Sequence, residues 1–294
     1  MIKLLIISDD FTGALDTGVK FSAAGARTRV STDTQIDFRQ EIAEEVLVLC
    51  APTRHLPPRE AYDMIRSIAQ RAVAAHIGCV YKKTDSALRG NIGAELSAVL
   101  DGSGEKCLSF IPALPGMNRI TVDGVHYIDG VPVDQSVFGQ DPFEPVTESR
   151  VPDLLHLQCD VPVKVISPEE LDSFRPGEEK CIYLFDCASR EDMEREAQRL
   201  YLLGCLKLLA GCAGLAESLP GYLGLRMGEK PQCRIEANRL VVLCGSVNPI
   251  SCSQMDYGEQ RGYRRVHIPA DRLLSGGKFN TGSDAMMMDY LWTL

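Results

Sequence analysis

Four short stretches carry most of the side chains that could do chemistry. Residues 8–13 (SDDFTG) set Ser8, Asp9, Asp10 and Thr12 ahead of Gly13. Residues 53–55 bring Thr53, Arg54 and His55, and residues 82–89 bring Lys82, Lys83, Thr84, Asp85, Ser86 and Arg89. Residues 113–119 (ALPGMNR) end in Asn118 and Arg119. The set suits an anionic small molecule that bears hydroxyls. Arginine offers a planar, two-pronged donor matched to a carboxylate or phosphate. Aspartate accepts hydrogen bonds from hydroxyls and can take a proton from one that becomes a nucleophile. Glycine lets the backbone approach a ligand closely.

Each residue also has a purely structural reading. Asp10 or Thr12 can cap a helix, a role worth about 0.5–2 kcal/mol. Two adjacent carboxylates cannot both make the same cap hydrogen bond, so the second calls for another function. Lys82 and Lys83 alternate on a strand end, so one is expected to face solvent. A lone Arg54 or Arg89 would be a surface residue. What favours a site is the concentration of these groups on consecutive strand ends, because ligands of open α/β sheets bind beyond the carboxyl ends of the strands.

The elements that must position them recur as one unit: a short apolar run, a polar loop, then an amphipathic stretch. Lys3–Ile7 precedes a helix over Thr12–Ala24 that should stop at Gly25. Val46–Cys50 leads to a helix over Arg59–Ala75. Cys79–Tyr81 leads to one over Ile92–Leu100, where Ile92, Leu96, Val99 and Leu100 share a face. Lys180–Phe185, Leu206–Leu209 and Leu240–Cys244 each precede a further helix-like segment, and Arg265–Ile268 reads as one more strand. This alternation predicts an α/β fold: three αβα layers around a mostly parallel sheet, plus the start of a second α/β domain. Residues 119–133 (RITVDGVHYIDGVPV) break the pattern with two Asp-Gly dipeptides, a hairpin signal. The aperiodic, proline-spaced residues 134–152 that follow read as a functional loop or a cover over a site. A polar, helix-poor stretch at 228–239 marks a boundary between a domain over 1–232 and a second segment over 236–294.

Composition narrows the class. The 294 residues are 45% hydrophobic and 24% charged, an ordinary globular balance. A net charge of −9 argues against a nucleic-acid partner, which needs a basic face. The eleven cysteines contain no C-x-x-C, and several, including Cys50, Cys79, Cys181 and Cys244, sit at the ends of apolar runs as small buried hydrophobes. A reduced, cytoplasmic protein without zinc or disulfides is expected, and no apolar run approaches a membrane span. Neither a P-loop nor a Rossmann glycine fingerprint is present. Residues 243–251 (LCGSVNPIS) could hold a phosphate on backbone N–H groups at a helix start, and the glycine-rich 275–284 reads as a loop or tail.

Five stretches together carry a resemblance: SDDFTGALDTG, KKTDSALRGNIGAEL, the segment from GMNRITVDG to DPFEPVTES, GCAGLAESL and LCGSVNPIS. In this order, from residue 4 to about residue 262, the chain resembles the four-carbon acid sugar kinase family, formerly a domain of unknown function. The resemblance implies ATP-dependent phosphorylation of a tetronate such as threonate, erythronate or an oxo form, with ATP and Mg²⁺ as cofactors. It implies a first domain that holds the sugar acid and a second that supplies most of the nucleotide site. Substrate contacts are implied for Asp10, Arg54, Lys83, Thr84, Asp85 and Ser86; Arg89 and Arg119 join them on chemical grounds. Ser246 is implied as a contact to ATP. Asp10 is thereby expected to bind substrate hydroxyls, leaving Asp9 or Thr12 to start the helix. Relative to the family, 236–294 is expected to be only the N-terminal portion of a nucleotide-binding domain.

Phosphoryl transfer in such a site would use an aspartate, Asp85 ahead of Asp10, to orient or deprotonate the acceptor hydroxyl. Two other readings stay open. One is a non-catalytic tetronate-binding half without a complete ATP site. The other is a phosphatase with an aspartyl nucleophile, weakened because Ser8 stands where the first aspartate of a D-x-D-x-T pattern would be. A small-molecule acid is the expected partner, with neither nucleic acid nor membrane, and a homodimer is left open.

Overall fold

The computed structural model describes residues 2–40, 43–141, 144–229, 240–244 and 249–267. The chain divides into two compact units, Met1–Pro231 and Gln232–Leu294.

The first unit is built on strands that read as nearly unbroken apolar runs, as expected where both sheet faces are covered. In chain order these elements are β1 (Leu4–Ser8), α1 (Phe11–Ala23), β2 (Thr28–Ser31), β3 (Val46–Cys50), α2 (Pro58–Ala74), β4 (Cys79–Lys83), α3 (Ile92–Ser103) and β5 (Cys107–Ile111). Then come β6 (Arg119–Val122), β7 (Val125–Ile128), β8 (Val131–Pro132), α4 (Val151–His156), β9 (Val163–Ile166), β10 (Cys181–Phe185), α5 (Arg190–Leu202), β11 (Leu208–Gly211) and α6 (Ala213–Ser218). Eight strands form one sheet in the order β2-β3-β1-β4-β11-β5-β10-β9, and every pairing in it is parallel. Alternate residues of each strand enter opposite cores. Leu5 and Ile7 pack with α2, α3 and α4, whereas Leu4 and Ile6 pack with α1, α5 and α6. This is the three-layer α/β arrangement that the alternating pattern predicts.

Strand order fixes where a ligand would sit. The chain leaves β1 through α1 toward β2 on one side, and leaves β4 through α3 toward β5 on the other. β1 and β4 are neighbours in register, so the loops after them diverge over opposite faces and open a crevice at their carboxyl ends.

The two Asp-Gly dipeptides close the turns of a separate antiparallel sheet, β6-β7-β8. Asp123, Gly124, Asp129 and Gly130 all have positive φ, between 51° and 80°, as two-residue primed turns require. Gly25 ends α1 at φ +100°, where a Cβ would fall 2.6 Å from the Gly228 carbonyl oxygen. β2 and β9, at the two edges of the large sheet, are four-residue strands with partly exposed side chains and give little periodic signal.

The second unit contributes α7 (Pro249–Gln260) among its described residues. The strands expected at Leu240–Cys244 and Arg265–Ile268 do not form in residues 240–244 or 265–267; Ile268 lies outside the described residues. Leu240, Val241, Val242 and Leu243 are instead 58–84% exposed. Strand propensity is expressed only within a hydrogen-bonded ladder, and no neighbouring strand is present there among the described residues. Cys244 is likewise exposed rather than buried. The glycine-rich 275–284 lies outside the described residues. No helix among those described is long and apolar enough to cross a membrane.

Lys82 and Lys83 correct another expectation, because neither faces solvent. β4 is an interior strand covered on both faces, so alternation sends Lys82 into the α3 layer and leaves Lys83 at the strand's end. The Lys82 ammonium meets Glu95 of α3 at 2.8 Å, with both side chains fully buried, and also donates to the Lys83 carbonyl at 2.7 Å. The Thr53 hydroxyl donates to the second Glu95 oxygen. Removing one partner of a buried ion pair strands the other charge. Glu95→Ala should therefore lower unfolding free energy by about 3–5 kcal/mol in urea titrations. Lys82→Met with Glu95→Leu should recover most of that loss; equal losses in the single and double variants would show that packing, not charge pairing, sets the cost.

Candidate functional site

Every loop at the β1–β4 crevice is fixed by its own backbone before its side chains meet. Asp10 is the N-cap of α1, accepting the Gly13 N–H at 3.1 Å, so the helix start belongs to Asp10 and not to Asp9 or Thr12. The physical reason is direction: the Asp10 side chain points along α1, while Asp9 points back into the sheet edge and is 2% exposed. Asn91 donates its amide to the carbonyls of Thr53 at 2.9 Å and Leu56 at 2.8 Å, which pins the loop carrying Arg54. The Thr84 N–H donates to the Gly211 carbonyl at 2.8 Å and extends β4 toward β11.

On this frame the charges interlock. Arg54 Nε donates to Asp9 Oδ2 at 2.7 Å, and its Nη2 lies 3.1 Å from Asp10 Oδ1 and 3.6 Å from Asp85 Oδ1. Lys83 Nζ reaches Asp10 Oδ1 at 3.2 Å and Asp9 Oδ1 at 3.6 Å. Arg89 holds Asp85 with a two-pronged grip, 2.8 Å from Nε to Oδ2 and 3.2 Å from Nη2 to Oδ1, and reaches Asp141 Oδ2 at 3.2 Å through Nη1. Gly13 is required here, since a Cβ would lie 2.0 Å from the Lys83 ammonium. Arg119 Nη1 donates to the Ser86 hydroxyl and makes no ion pair among the described residues. The guanidinium groups of Arg89 and Arg119 stack on the Phe138 ring at 5.1 and 5.2 Å.

The electrostatics follow from burial opposed by opposite charge. Burial alone would raise the Asp85 carboxyl, but the hydrogen bond from Arg89 and the charges of Arg54, Arg89 and Lys83 bring it down to about 2. Asp9 is raised by burial and lowered more by Lys82, Lys83 and Arg54. Burial disfavours the Lys83 ammonium, yet Asp9, Asp10 and Asp85 push its pKa up. The Arg54 guanidinium is held charged in the same way. Three buried polar atoms in the crevice, Asp9 Oδ1, Arg54 Nη2 and Thr84 Oγ1, have no aligned hydrogen bond among the described residues. A ligand with hydroxyls and a carboxylate could supply one.

Of the residues singled out in the sequence, Asp10, Arg54, Lys83, Asp85 and Arg89 join this one network, and Ser86 and Arg119 pair at its side. Thr84 is fully buried beneath it. His55 turns outward to Glu144, at 3.0 Å. Ser246 lies outside the described residues. Sequence patterns do not single out Asp141, Phe138, Glu95 or His126. Asp141 and Phe138 come from the aperiodic stretch read as a cover. His126 is fully buried in β7, where it meets the Ser86 carbonyl through Nε2 at 3.0 Å and the Thr121 hydroxyl through Nδ1 at 3.1 Å. Burial holds it neutral, with a pKa of about 4. A groove of about 540 Å³ lies elsewhere, along α2 and α3. In it the Tyr62 hydroxyl and Lys180 both bond Asp101.

Comparison with known proteins follows the same division. A family model described as a sugar-binding N-terminal domain matches residues 4–219. A D-threonate kinase of Salmonella typhimurium is 30% identical over 93% of this chain and 65% of its own length. A D-erythronate kinase of Heliobacterium modesticaldum is 28% identical over 87% of this chain and 60% of its own. A 3-oxo-tetronate kinase of Escherichia coli is 28% identical over 90% and 70%. The chain thus spans less than two thirds of the length of the first two. Among solved structures, a domain of unknown function from Bordetella bronchiseptica superposes with a TM-score of 0.65 at 31% identity, over 74% of this chain and 55% of its own; it is described as a domain-swapped dimer with bound citrate.

Because the Asp85 pKa is lower folded than unfolded, its contribution is complete above about pH 4 and is lost as pH falls through about 2. Over that window the stability gap between the wild-type chain and Asp85→Asn should shrink by about 2 kcal/mol in urea titrations. Parallel stability curves from about pH 5 to about pH 2 would show that Asp85 is not held ionised by its arginines.

Proposed function

The chain belongs to the family of the sugar-binding N-terminal domain, and from that membership we propose that its first unit binds a four-carbon sugar acid as the acceptor of an ATP-dependent kinase reaction. The observation that carries this reading is the crevice itself: carboxylates fixed by buried cations, beside an arginine that has no carboxylate of its own among the described residues. Arg119, with Arg89 next to it across Phe138, would take the acid's carboxylate. Asp10 and Asp85 would accept hydrogen bonds from its hydroxyls, and Lys83 and Arg54 would hold both aspartates in place. Citrate in the Bordetella structure supports a taste for small hydroxy acids in this fold. The names of the curated relatives support a tetronate.

Asp85 is the aspartate we place against the acceptor hydroxyl. Held at a pKa of about 2, it is a weak base, and its contribution is orientation, with the proton taken late. That division suits phosphoryl transfer, in which positioning outweighs covalent chemistry. MgATP would supply the transferred phosphoryl group. The described residues include no group of three or more His, Cys, Asp or Glu placed to hold a metal ion, and Ser246 is not among them. The part played by the first unit is to bind the acceptor and aim its hydroxyl. The buried thiols of Cys50, Cys79, Cys181, Cys187 and Cys212 fit a cytoplasmic setting. The dimeric relative supports self-association.

Calorimetric titration with D-threonate, D-erythronate and a 3-oxo-tetronate tests the reading directly. One acid should bind, and Arg119→Ala should weaken it by about 10- to 100-fold, the worth of a charge-assisted hydrogen bond. Where MgATP supports turnover, Asp85→Asn should lower kcat far more than it raises KM. Binding of no tetronate, or binding indifferent to Arg119, would refute the assignment.

A further inference from the structure

The turn that follows β4 is held from outside by a buried side chain of the small sheet. Ser86 and Ala87 are its central residues, and the Leu88 N–H closes it on the Asp85 carbonyl at 3.0 Å. A carbonyl at the centre of such a turn finds no donor within it and needs one from elsewhere. Leu88 adds strain: it is buried at φ +62°, a backbone conformation that persists only where the surroundings impose it.

His126, on β7, supplies the donor. Its Nε2 lies 3.0 Å from the Ser86 carbonyl oxygen, which can only accept, so Nε2 carries the hydrogen. Nδ1, 3.1 Å from the Thr121 hydroxyl, is then the acceptor. One tautomer satisfies both contacts, and burial, which takes the ring's pKa to about 4, keeps it neutral. The ring's own support is rigid. The His126 N–H donates to the Ser149 carbonyl at 2.9 Å, and Thr121 exchanges two backbone hydrogen bonds with Cys187, at 3.0 and 2.9 Å. Arg119, on β6 with Thr121, donates to the Ser86 hydroxyl. The hairpin thus grips Ser86 at two atoms, the carbonyl oxygen through His126 and the hydroxyl through Arg119.

We propose that His126 is a positioning residue for acid binding: by fixing the Ser86 turn it aims the Arg119 guanidinium at the acid's carboxylate. This role rests on the acid-binding reading above. His126 acts through Ser86, one hydrogen bond removed from the guanidinium. With the carbonyl released, the turn can relax toward the ordinary backbone that Leu88 prefers, and the Ser86 hydroxyl moves with it. Arg119 makes no ion pair among the described residues that would hold it in place instead. A misplacement of about 1 Å in a binding group can cost about 100-fold.

The test is calorimetric titration with D-threonate, D-erythronate and a 3-oxo-tetronate, comparing the wild-type chain with single and combined variants. His126→Leu should weaken the acid that binds by about tenfold or more. His126→Gln, whose amide nitrogen can reach the Ser86 carbonyl much as Nε2 does, should recover most of that loss. In an Arg119→Ala background, His126→Leu should cost no more than about twofold, since the two residues act as one unit. On the wild-type chain, which needs no variant to fold, long-range proton–nitrogen NMR at about pH 7 should show His126 as the Nε2–H tautomer. The opposite tautomer, a glutamine no better than leucine, or equal fold-losses with and without Arg119 would each overturn this role while leaving acid binding intact. Binding of no tetronate by the wild-type chain would instead remove the acid reading, and this role with it.

Discussion

Arg54 is the constraint on which the crevice depends. One guanidinium, 11% exposed, answers to Asp9 and Asp10 after β1 and to Asp85 after β4. Three carboxylates this close would repel one another and take up protons if left alone. With Arg54 among them, and Lys83 behind, Asp9 and Asp85 stay ionised and the loops are tied to one another. The loops can then diverge over opposite faces of the sheet without the crevice opening or collapsing. Asn91 and Gly90 extend the same logic, the one tying down the backbone around Arg54 and the other leaving room for its side chain. A Cβ on Gly90 would come within 3.0 Å of Arg54 Cγ and would also meet a φ of +88°.

Much of this architecture is legible in the sequence because parallel strands buried on both faces cannot hide. LLIIS, VLVLC and CIYLF announce themselves as apolar runs, and two Asp-Gly pairs announce the turns of the small antiparallel sheet. The edge strands TRVS and VKVI are short and only half covered, so they lack the signal that burial writes into the interior. Leu240–Cys244 shows the reverse: an apolar run of the right composition finds no ladder to join among the described residues. Local propensity is a capacity, and only pairing turns it into structure.

The site divides along the same line. Residue types at strand ends point to the cluster, since topology alone gathers those ends. What the sequence withholds is the direction of each side chain. Alternation on β4 suggests that one lysine faces water, but an interior strand has no wet face, and Lys82 ends beside Glu95. Asp9 and Asp10 differ by a single residue, yet one turns into the sheet edge and the other along α1. Asp141 and Phe138 arrive from a segment without periodicity, and His126 from a hairpin that pattern reading treats only as a turn. These contacts exist through tertiary packing and leave no periodic trace.

The cluster of Asp9, Asp10, Asp85 and Asp141 with Arg54, Lys83, Arg89 and Arg119 is electrically balanced, and the chain around it is acidic overall. A balanced pocket casts almost no field into solvent beyond a Debye length of about 8–10 Å at physiological salt. An anionic ligand would therefore gain no long-range guidance and would be sorted only on contact, by the match of its carboxylate and hydroxyls to fixed donors and acceptors. Its arrival should be slowed by the chain's net charge of −9 and quicken as salt screens that repulsion. Selection in this crevice lies in how long a molecule stays, not in how quickly it is drawn in.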